Sequence, residues 1–256
     1  MKSGSMSRRR WLRLALYGLP PLAVADGFLL EPKWAKVKKI RLVKGQPVCR
    51  LVHFSDLHHK GAIGYLRRVV RRINSLSPDF VCFTGDIVEE ANFLPEALEA
   101  LKSIKAPLYG VPGNHDHWSG ADFGEIARAF AATGGEWLVD RQVTTLDGRV
   151  HLTGIDQVPT DLSVKAASKH ILLMHYPGWV TRLGSNRFDL VLAGHSHGGQ
   201  VRLPFIGALV VPFGVGKYDL GLFETPAGPL HVTSGIGNFY APVRFYCRPE
   251  ITVLEI

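Results

Sequence analysis

Residues 48–58 read Val-Cys-Arg-Leu-Val-His-Phe-Ser-Asp-Leu-His, and residues 80–86 read Phe-Val-Cys-Phe-Thr-Gly-Asp. Each is a short apolar run rich in β-branched and aromatic residues that stops on an acid. Between them, Tyr65–Leu76 places Leu66, Val69, Val70 and Ile73 at helical spacing. Strand, amphipathic helix, strand is a βαβ unit, and it sets the character of the first half of the chain. Working outward, Pro95–Lys102 and Phe123–Ala132 predict helices, and Pro107–Val111 and Trp137–Val139 predict strands. Further on, Val143–Leu146 and Val150–Gly154 flank Asp147-Gly148 and predict a hairpin. Ile171–His175, Leu190–Ala193, Leu209–Val211, Leu220–Glu224, Leu230–Ser234 and Ile251–Glu255 predict further strands with few helices between them. Both halves fit an α/β (α+β) fold, a four-layer αββα sandwich of two mixed sheets with helices outside.

The polar residues fall at the strand ends. Asp56 and His58 follow the first strand, and Asp86 follows the second. Asn114-His115-Asp116 follows the third, and His175 and His195-Ser196-His197 follow two later ones. Loops at the carboxyl ends of such strands converge on one crevice, so five segments deliver oxygen and imidazole groups to one place. A lone acid or histidine at a strand end is ordinarily a turn residue. Five in this arrangement are not explained that way. The donors are O and N without sulfur, which suits Mn²⁺ above all, and also Fe or Zn²⁺. Seven ligands are too many for one ion and suit two, provided that a carboxylate such as Asp86 bridges them. Two ions roughly 3.5–4 Å apart can activate a water and neutralise charge building on a phosphoryl group.

Composition narrows the alternatives. With 46% hydrophobic and 20% charged residues the chain has enough apolar mass for a core, which excludes disorder and a polytopic membrane protein. Cys49, Cys82 and Cys247 form no CxxC pair, so no cysteine metal cluster or disulfide framework is written in the chain. The net charge of +8 is unevenly placed. Residues 1–44 hold eleven Lys and Arg against Asp26 and Glu31, leaving residues 45–256 with 19 bases and 20 acids. A basic leader on a neutral body suits an anionic membrane surface and argues against a nucleic-acid partner.

The leader, residues 1–44, precedes a catalytic domain expected over 45–256. Ser7-Arg8-Arg9-Arg10-Trp11-Leu12-Arg13, then Leu14–Leu22, then Ala23-Val24-Ala25 follow the order of an export signal and resemble the twin-arginine type. An uncleaved anchor is a second reading, and a plain soluble tail with a solvated charge run is a third. In either membrane reading Lys33, Lys36, Lys38, Lys39 and Arg41 would lie at headgroup level. The expected location is the bacterial inner membrane, peripheral or N-terminally anchored, on either face.

Asp56-Leu57-His58, Gly85-Asp86, Gly113-Asn114-His115-Asp116, His175 and Gly194-His195-Ser196-His197 together resemble the five motifs of the calcineurin-like metallophosphoesterases. Gly198–Pro204 and Cys247–Ile251 are similar to a bacterial branch that includes YaeI- and YkuE-like phosphodiesterases and a UDP-2,3-diacylglucosamine pyrophosphatase. The resemblance implies that Asp56, His58, Asp86 and His197 bind one ion and that Asp86, Asn114, His175 and His195 bind the other. It further implies that His115 protonates the leaving oxygen or stabilises the developing charge, while Asp116 orients the His115 ring.

For substrate contacts the sequence offers His59 and His117 beside the motifs, as phosphate contacts or as solvated residues. It also offers Arg67 and Arg71, with Arg68 and Arg72, as a basic rim or a solvated helix face. Gly214, Gly216, Gly235 and Gly237, with Phe213, Phe239 and Tyr240, form loops that either shape a pocket or merely turn the chain.

The substrate implied first is a phospholipid-like or nucleotide-linked lipid, through pyrophosphate hydrolysis of UDP-2,3-diacylglucosamine to UMP and the lipid monophosphate. An exported phosphodiesterase acting on envelope polymers or small diesters is the alternative. A nuclease and a non-catalytic metal-binding module rank below both. Without a nucleophilic Ser or Cys in the motifs, attack at phosphorus is expected in line, with inversion.

Overall fold

The computed structural model describes residues 24–145, 147–156 and 169–256. The βαβ unit is present as β2 (Arg50–Phe54), α1 (Ile63–Asn74) and β3 (Phe80–Phe83). The chain continues through α2 (Leu94–Leu101), β4 (Leu108–Gly110), the short α3 (Asn114–Trp118), α4 (Phe123–Ala131) and β5 (Glu136–Trp137). β2, β3, β4 and β5 run parallel in that order. β14 (Glu250–Glu255) returns antiparallel against β2.

A second six-stranded sheet has the order β12-β13-β9-β8-β7-β6. Its strands are β6 (Arg141–Thr144), β7 (Val150–Gly154), β8 (Lys169–Leu173), β9 (Leu190–Ala193), β12 (Gly221–Thr225) and β13 (Gly228–Val232). The hairpin expected at Asp147-Gly148 is the antiparallel pair β6–β7.

The central strands are buried on both faces, which is why they read as unbroken apolar runs rather than as alternation. Leu51, Cys82 and Tyr109 meet Leu152, Ile171 and Leu192 between the sheets. Val52, Phe54, Val81 and Phe83 face the other way onto α1, α2 and α4. The outer face of the second sheet is covered, among the described residues, by the 3₁₀ segment Pro177–Arg182 and by Phe188 and Tyr218.

Two expectations are corrected here. Lys36–Arg41, assigned to the leader, is a strand, β1, paired in parallel with β14. The folded domain therefore begins before residue 45, and these lysines sit on a sheet edge rather than in a free basic tail. Val37 packs on the helix side and Ile40 between the sheets, so no single apolar face appears in the sequence. Lysines on an edge strand also discourage further strand pairing. Second, Leu209–Val211 lies outside the strands. The local pairing is instead the short hairpin of β10 (Arg202–Leu203) and β11 (Gly207–Ala208), after which Leu209 and Val210 are exposed. The leader motifs within residues 1–23 lie outside the described residues.

β1 is tied to the body through Glu250. This buried carboxylate accepts from Thr252 Oγ1 at 2.8 Å and lies 3.1 Å from Lys36 Nζ. His231 Nε2, at 3.6 Å, acts on it electrostatically rather than as a hydrogen-bond donor. Burial alone would raise its pKa, but His231 and Lys36 more than offset that and hold it at about 2. The folded value lies below the unfolded one. The stabilisation is therefore present above pH ~4.5 and is lost as pH falls toward 2, to the extent of about 3 kcal/mol. We expect denaturant unfolding at a series of pH values to show that acid-dependent loss in the wild type and to show it reduced in Glu250→Gln. Equal pH slopes in the two proteins would refute the assignment.

Candidate metal centre

All seven motif residues expected as ligands come together at the carboxyl ends of the strands. Three groups have ligand atoms within 4.8 Å of one another, Asp56/His58/His197, Asp86/His175/His195 and, between them, His58/Asp86/His115. The backbone is held in an unusual conformation to achieve this. Asp56, His58, Asp86, His195 and His197 all have left-handed φ, between 41° and 66°. Non-glycine residues adopt that region at a cost, and it persists where the surroundings over-determine it. Here Asp56 N donates to Gly85 O at 2.9 Å and His58 N donates to Asp86 O at 3.1 Å, locking the two motif loops together. Gly194 matters for a different reason, since a Cβ there would stand 2.6 Å from Asp56 Oδ2.

Second partners fix the imidazole tautomers. His58 Nδ1 donates to Glu89 Oε1 at 2.6 Å, His175 Nδ1 to Thr84 O at 2.6 Å, and His195 Nε2 to Phe213 O at 2.8 Å. With ions bound, each outward nitrogen would keep its proton and each inward nitrogen would offer its lone pair. The inward nitrogens crowd one another, with His58 Nε2 2.9 Å from His197 Nε2 and His195 Nδ1 3.1 Å from His175 Nε2. The buried His197 Nδ1 has no hydrogen-bond partner among the described residues, so no second partner holds that ring. The arrangement suits cations between the inward nitrogens, so the donor set fits divalent ions. Asp86 Oδ2 lies 3.4 Å from His58 Nε2 and 3.2 Å from His175 Nε2, facing both groups. Asn114 Oδ1, 3.0 Å from His175 Nε2, joins the second group.

Without ions, a proton on His175 supplies the positive charge among these donors. Burial disfavours a charged His175, yet the Asp86 carboxylate outweighs it and raises the pKa to about 9. Burial and then His175 lower His195 to about 3. Burial raises Asp56, whereas Asp86 is held far below the ordinary range because His175, His58 and His115 overcome its burial.

His115 lines the cavity over the cluster, and the acid beside its ring is not Asp116. Asp116 accepts from the backbone N–H groups of Asp86, Ile87 and Gly113 at 2.8, 2.7 and 2.9 Å. It braces two motif loops and does not hold the His115 ring. That task falls to Glu89, whose Oε2 lies 3.0 Å from His115 Nδ1 while its Oε1 takes His58 Nδ1. Burial opposes protonation of His115, and Glu89 with Asp86 reverses it, raising the pKa. Glu89 was missed because Glu89-Glu90 reads as a solvated pair. The available signal was its place three residues after Asp86, behind the buried Ile87 and Val88.

The proposed substrate contacts fare unevenly. His117 is exposed, pairs with Asp156 at 2.8 Å and lines a cleft beside Asn114. His59 is buried, with Nε2 3.3 Å from Glu96. Arg67 and Arg71 lie on the exposed face of α1 opposite Leu66 and Val70 and line no cavity at the centre, which corrects their place as substrate contacts. The loop aromatics do shape the site. Phe239 packs 5.2 Å from the His115 ring and 6.1 Å from that of His58.

Two parallel-cored sheets with buried carboxylates and imidazoles converging at their strand ends define a metal-dependent phosphoesterase. The calcineurin-like phosphoesterase family matches residues 49–199, and the chain belongs to that family. It is 28% identical over 284 aligned positions to the uncharacterized metallophosphoesterase YkuE of Bacillus subtilis, covering 98% of each chain. It is 26% identical to the phosphodiesterase YaeI of Escherichia coli, covering 98% of this chain and 99% of that one. It is 29% identical to the UDP-2,3-diacylglucosamine pyrophosphatase LpxG of Chlamydia trachomatis, covering 87% of each. The chain is a hydrolase of a dinuclear metal-dependent family.

Proposed function

We propose that the chain hydrolyses the pyrophosphate of UDP-2,3-diacylglucosamine, releasing UMP and the lipid monophosphate for lipid A synthesis at the bacterial inner membrane. The observation that carries this reading is the contrast between the flanks of the centre. A cavity of about 180 Å³ over the cluster, lined by His58, Asp86, His115 and His195, shares Asn114, Trp118 and Tyr176 with one neighbour. That neighbour, about 260 Å³, is aromatic and polar, with Trp179 and the His117–Asp156 pair. On the other side a cavity of about 270 Å³ shares His197, Pro212 and Phe239 and is walled by Val210, Val211, Tyr240 and Ala241. A nucleotide on the aromatic side and an acyl sugar on the apolar side would bring a pyrophosphate over the ligands. The likeness to LpxG supports the same substrate class.

In this reading Asp56, His58, Asp86 and His197 hold one ion and Asp86, Asn114, His175 and His195 the second, with Mn²⁺ preferred for the mixed oxygen and imidazole donors. Such a pair supplies Lewis acidity and an activated water for in-line displacement. His115, protonated and steadied by Glu89, gives its proton to the departing oxygen or stabilises the charge developing there. Phe239 excludes bulk water from the imidazoles it covers. Glu89→Gln keeps the shape and removes the charge that serves both His58 and His115. We expect it to reduce activity and metal affinity by about 10–100-fold, read from Mn²⁺ titrations of hydrolysis. An unchanged titration would remove Glu89 from the account.

The deciding experiment is a product assay on detergent-solubilised full-length protein with Mn²⁺, offering UDP-2,3-diacylglucosamine beside bis-p-nitrophenyl phosphate. Efficient UMP release supports the proposal. Hydrolysis of the artificial diester alone favours the second reading, a general phosphodiesterase, to which the twin-arginine-like leader and the likeness to YaeI point.

A further inference from the structure

The mouth of the centre is bordered by large apolar side chains standing in water. Phe213 is 94% exposed, Tyr240 87%, Val210 75% and Trp118 72%. These are parts of the site, since Trp118 and Phe213 line the cavity over His58 and His195, and Val210 and Tyr240 line the one beside His197. The β10–β11 hairpin extends this border and carries Phe205 and Ile206 at its tip, both exposed. It is held close to the His197 loop, where a Cβ on Gly199 would come within 2.5 Å of Ala208 Cβ.

Next to Tyr240 the border is apolar as well. The helical segment Asp26–Leu30 exposes Phe28, Leu29 and Leu30 and is fixed to the body by Arg244 N donating to Gly27 O at 2.8 Å. The next residues, Pro32 and Lys33, line a chamber together with His58 and Tyr240. Exposed apolar side chains gathered around one opening mark an interaction surface rather than ordinary scatter.

The chain itself indicates what covers that surface. The exposed helical segment continues, toward the N-terminus, the apolar stretch Leu14–Ala25 behind Arg8, Arg9, Arg10 and Arg13. In sequence, that apolar and basic stretch leads directly into the helical segment at the rim of the mouth. Lys33, exposed, adds positive charge on the same border, where Lys60 is exposed but pairs with Glu89 at 3.5 Å. Apolar side chains flanked by cations match the boundary between headgroups and acyl chains of an anionic bilayer.

We propose that this rim docks on an anionic phospholipid bilayer, so that the metal centre opens at the headgroup layer and takes phosphoesters of amphiphiles directly from it. The inference holds for any such substrate and goes beyond the lipid A reading. Its test reads docking rather than turnover, so the two can fail separately.

Cys49, Cys82 and Cys247 are buried, so a cysteine introduced as Phe205→Cys or Phe213→Cys in the full-length chain can be labelled selectively with an environment-sensitive fluorophore. Lys105→Cys, on the exposed loop before β4 at the far end of the strands, is the control. With vesicles of phosphatidylcholine and phosphatidylglycerol we expect blue-shifted emission at positions 205 and 213, quenched by lipids bearing a nitroxide high on the acyl chain. Position 105 should not respond.

Unchanged spectra at 205 and 213 would overturn the proposal, whether the chain sediments with the vesicles through its leader or fails to bind them. An equal response at 105 would also overturn it. So would a shift produced by raising protein concentration without lipid, which would assign the rim to contacts between copies.

Discussion

Replacing Asp86 with asparagine is expected to abolish hydrolysis while leaving the fold in place. The carboxylate has two separate tasks. Its Oδ1 accepts the backbone N–H of His115 at 2.8 Å, which an amide oxygen can still do. Its Oδ2 faces both His58 and His175, where only a charge serves. Loss of an outer-shell partner already costs about 10–100-fold in activity or metal affinity, so loss of a charge shared by both groups is expected to lower kcat/KM by about 10²-fold or more. Metal content measured on the same preparation should fall with activity, and thermal unfolding of the ion-free chain should stay cooperative. An Asp86→Asn protein that keeps both ions and its turnover would show that the shared oxygen is not what joins the two groups.

The second large effect belongs to His115. Its ring lies at the cavity with Nδ1 held by Glu89, and the raised pKa keeps a proton available for the leaving oxygen. Loss of a general acid lowers kcat by about 10²–10⁴-fold, so His115→Ala should do so with both ions retained. The size of the loss should depend on the leaving group. p-Nitrophenolate and the phosphate released from a nucleotide anhydride are weakly basic and depart without a proton, so those substrates should suffer least and an alkyl diester most. An equal loss on all substrates would move His115 from proton donation to binding or positioning. Depletion of the ions would instead make it a ligand, a possibility raised by its place with His58 and Asp86 in a third cluster of donors.

How much of this was legible in the sequence depended on where each signal lay. The sandwich and the ligand positions could be read because β2, β3, β4, β8 and β9 are buried on both faces and each ends abruptly in a polar group. An Asp or His following four or five apolar residues is a local signal. β1 was not local. Lys36–Arg41 alternates charge with apolar residues that face two different cores, and its partner β14 lies more than two hundred residues away. Only the assembled sheet shows that a basic stretch is an edge strand.

The roles of Asp116 and Glu89 were hidden for a related reason. Both are acids near His115 in the fold, and sequence proximity favours Asp116. Yet the start of α3 turns its carboxylate onto three backbone N–H groups, while Ile87 and Val88 bury themselves and bring Glu89 back to the imidazoles. Similarly, Leu209–Val211 carries the composition of a strand and serves instead as part of the exposed border of the mouth.

The central claim is that seven side chains from five loops hold two ions that act together. Its most direct test is to strip the full-length protein of metal and follow hydrolysis of bis-p-nitrophenyl phosphate as Mn²⁺ is added back in measured equivalents. The account predicts negligible turnover without metal and a plateau reached at two ions per chain. A plateau at one ion, or hydrolysis that persists in the stripped protein, would contradict it.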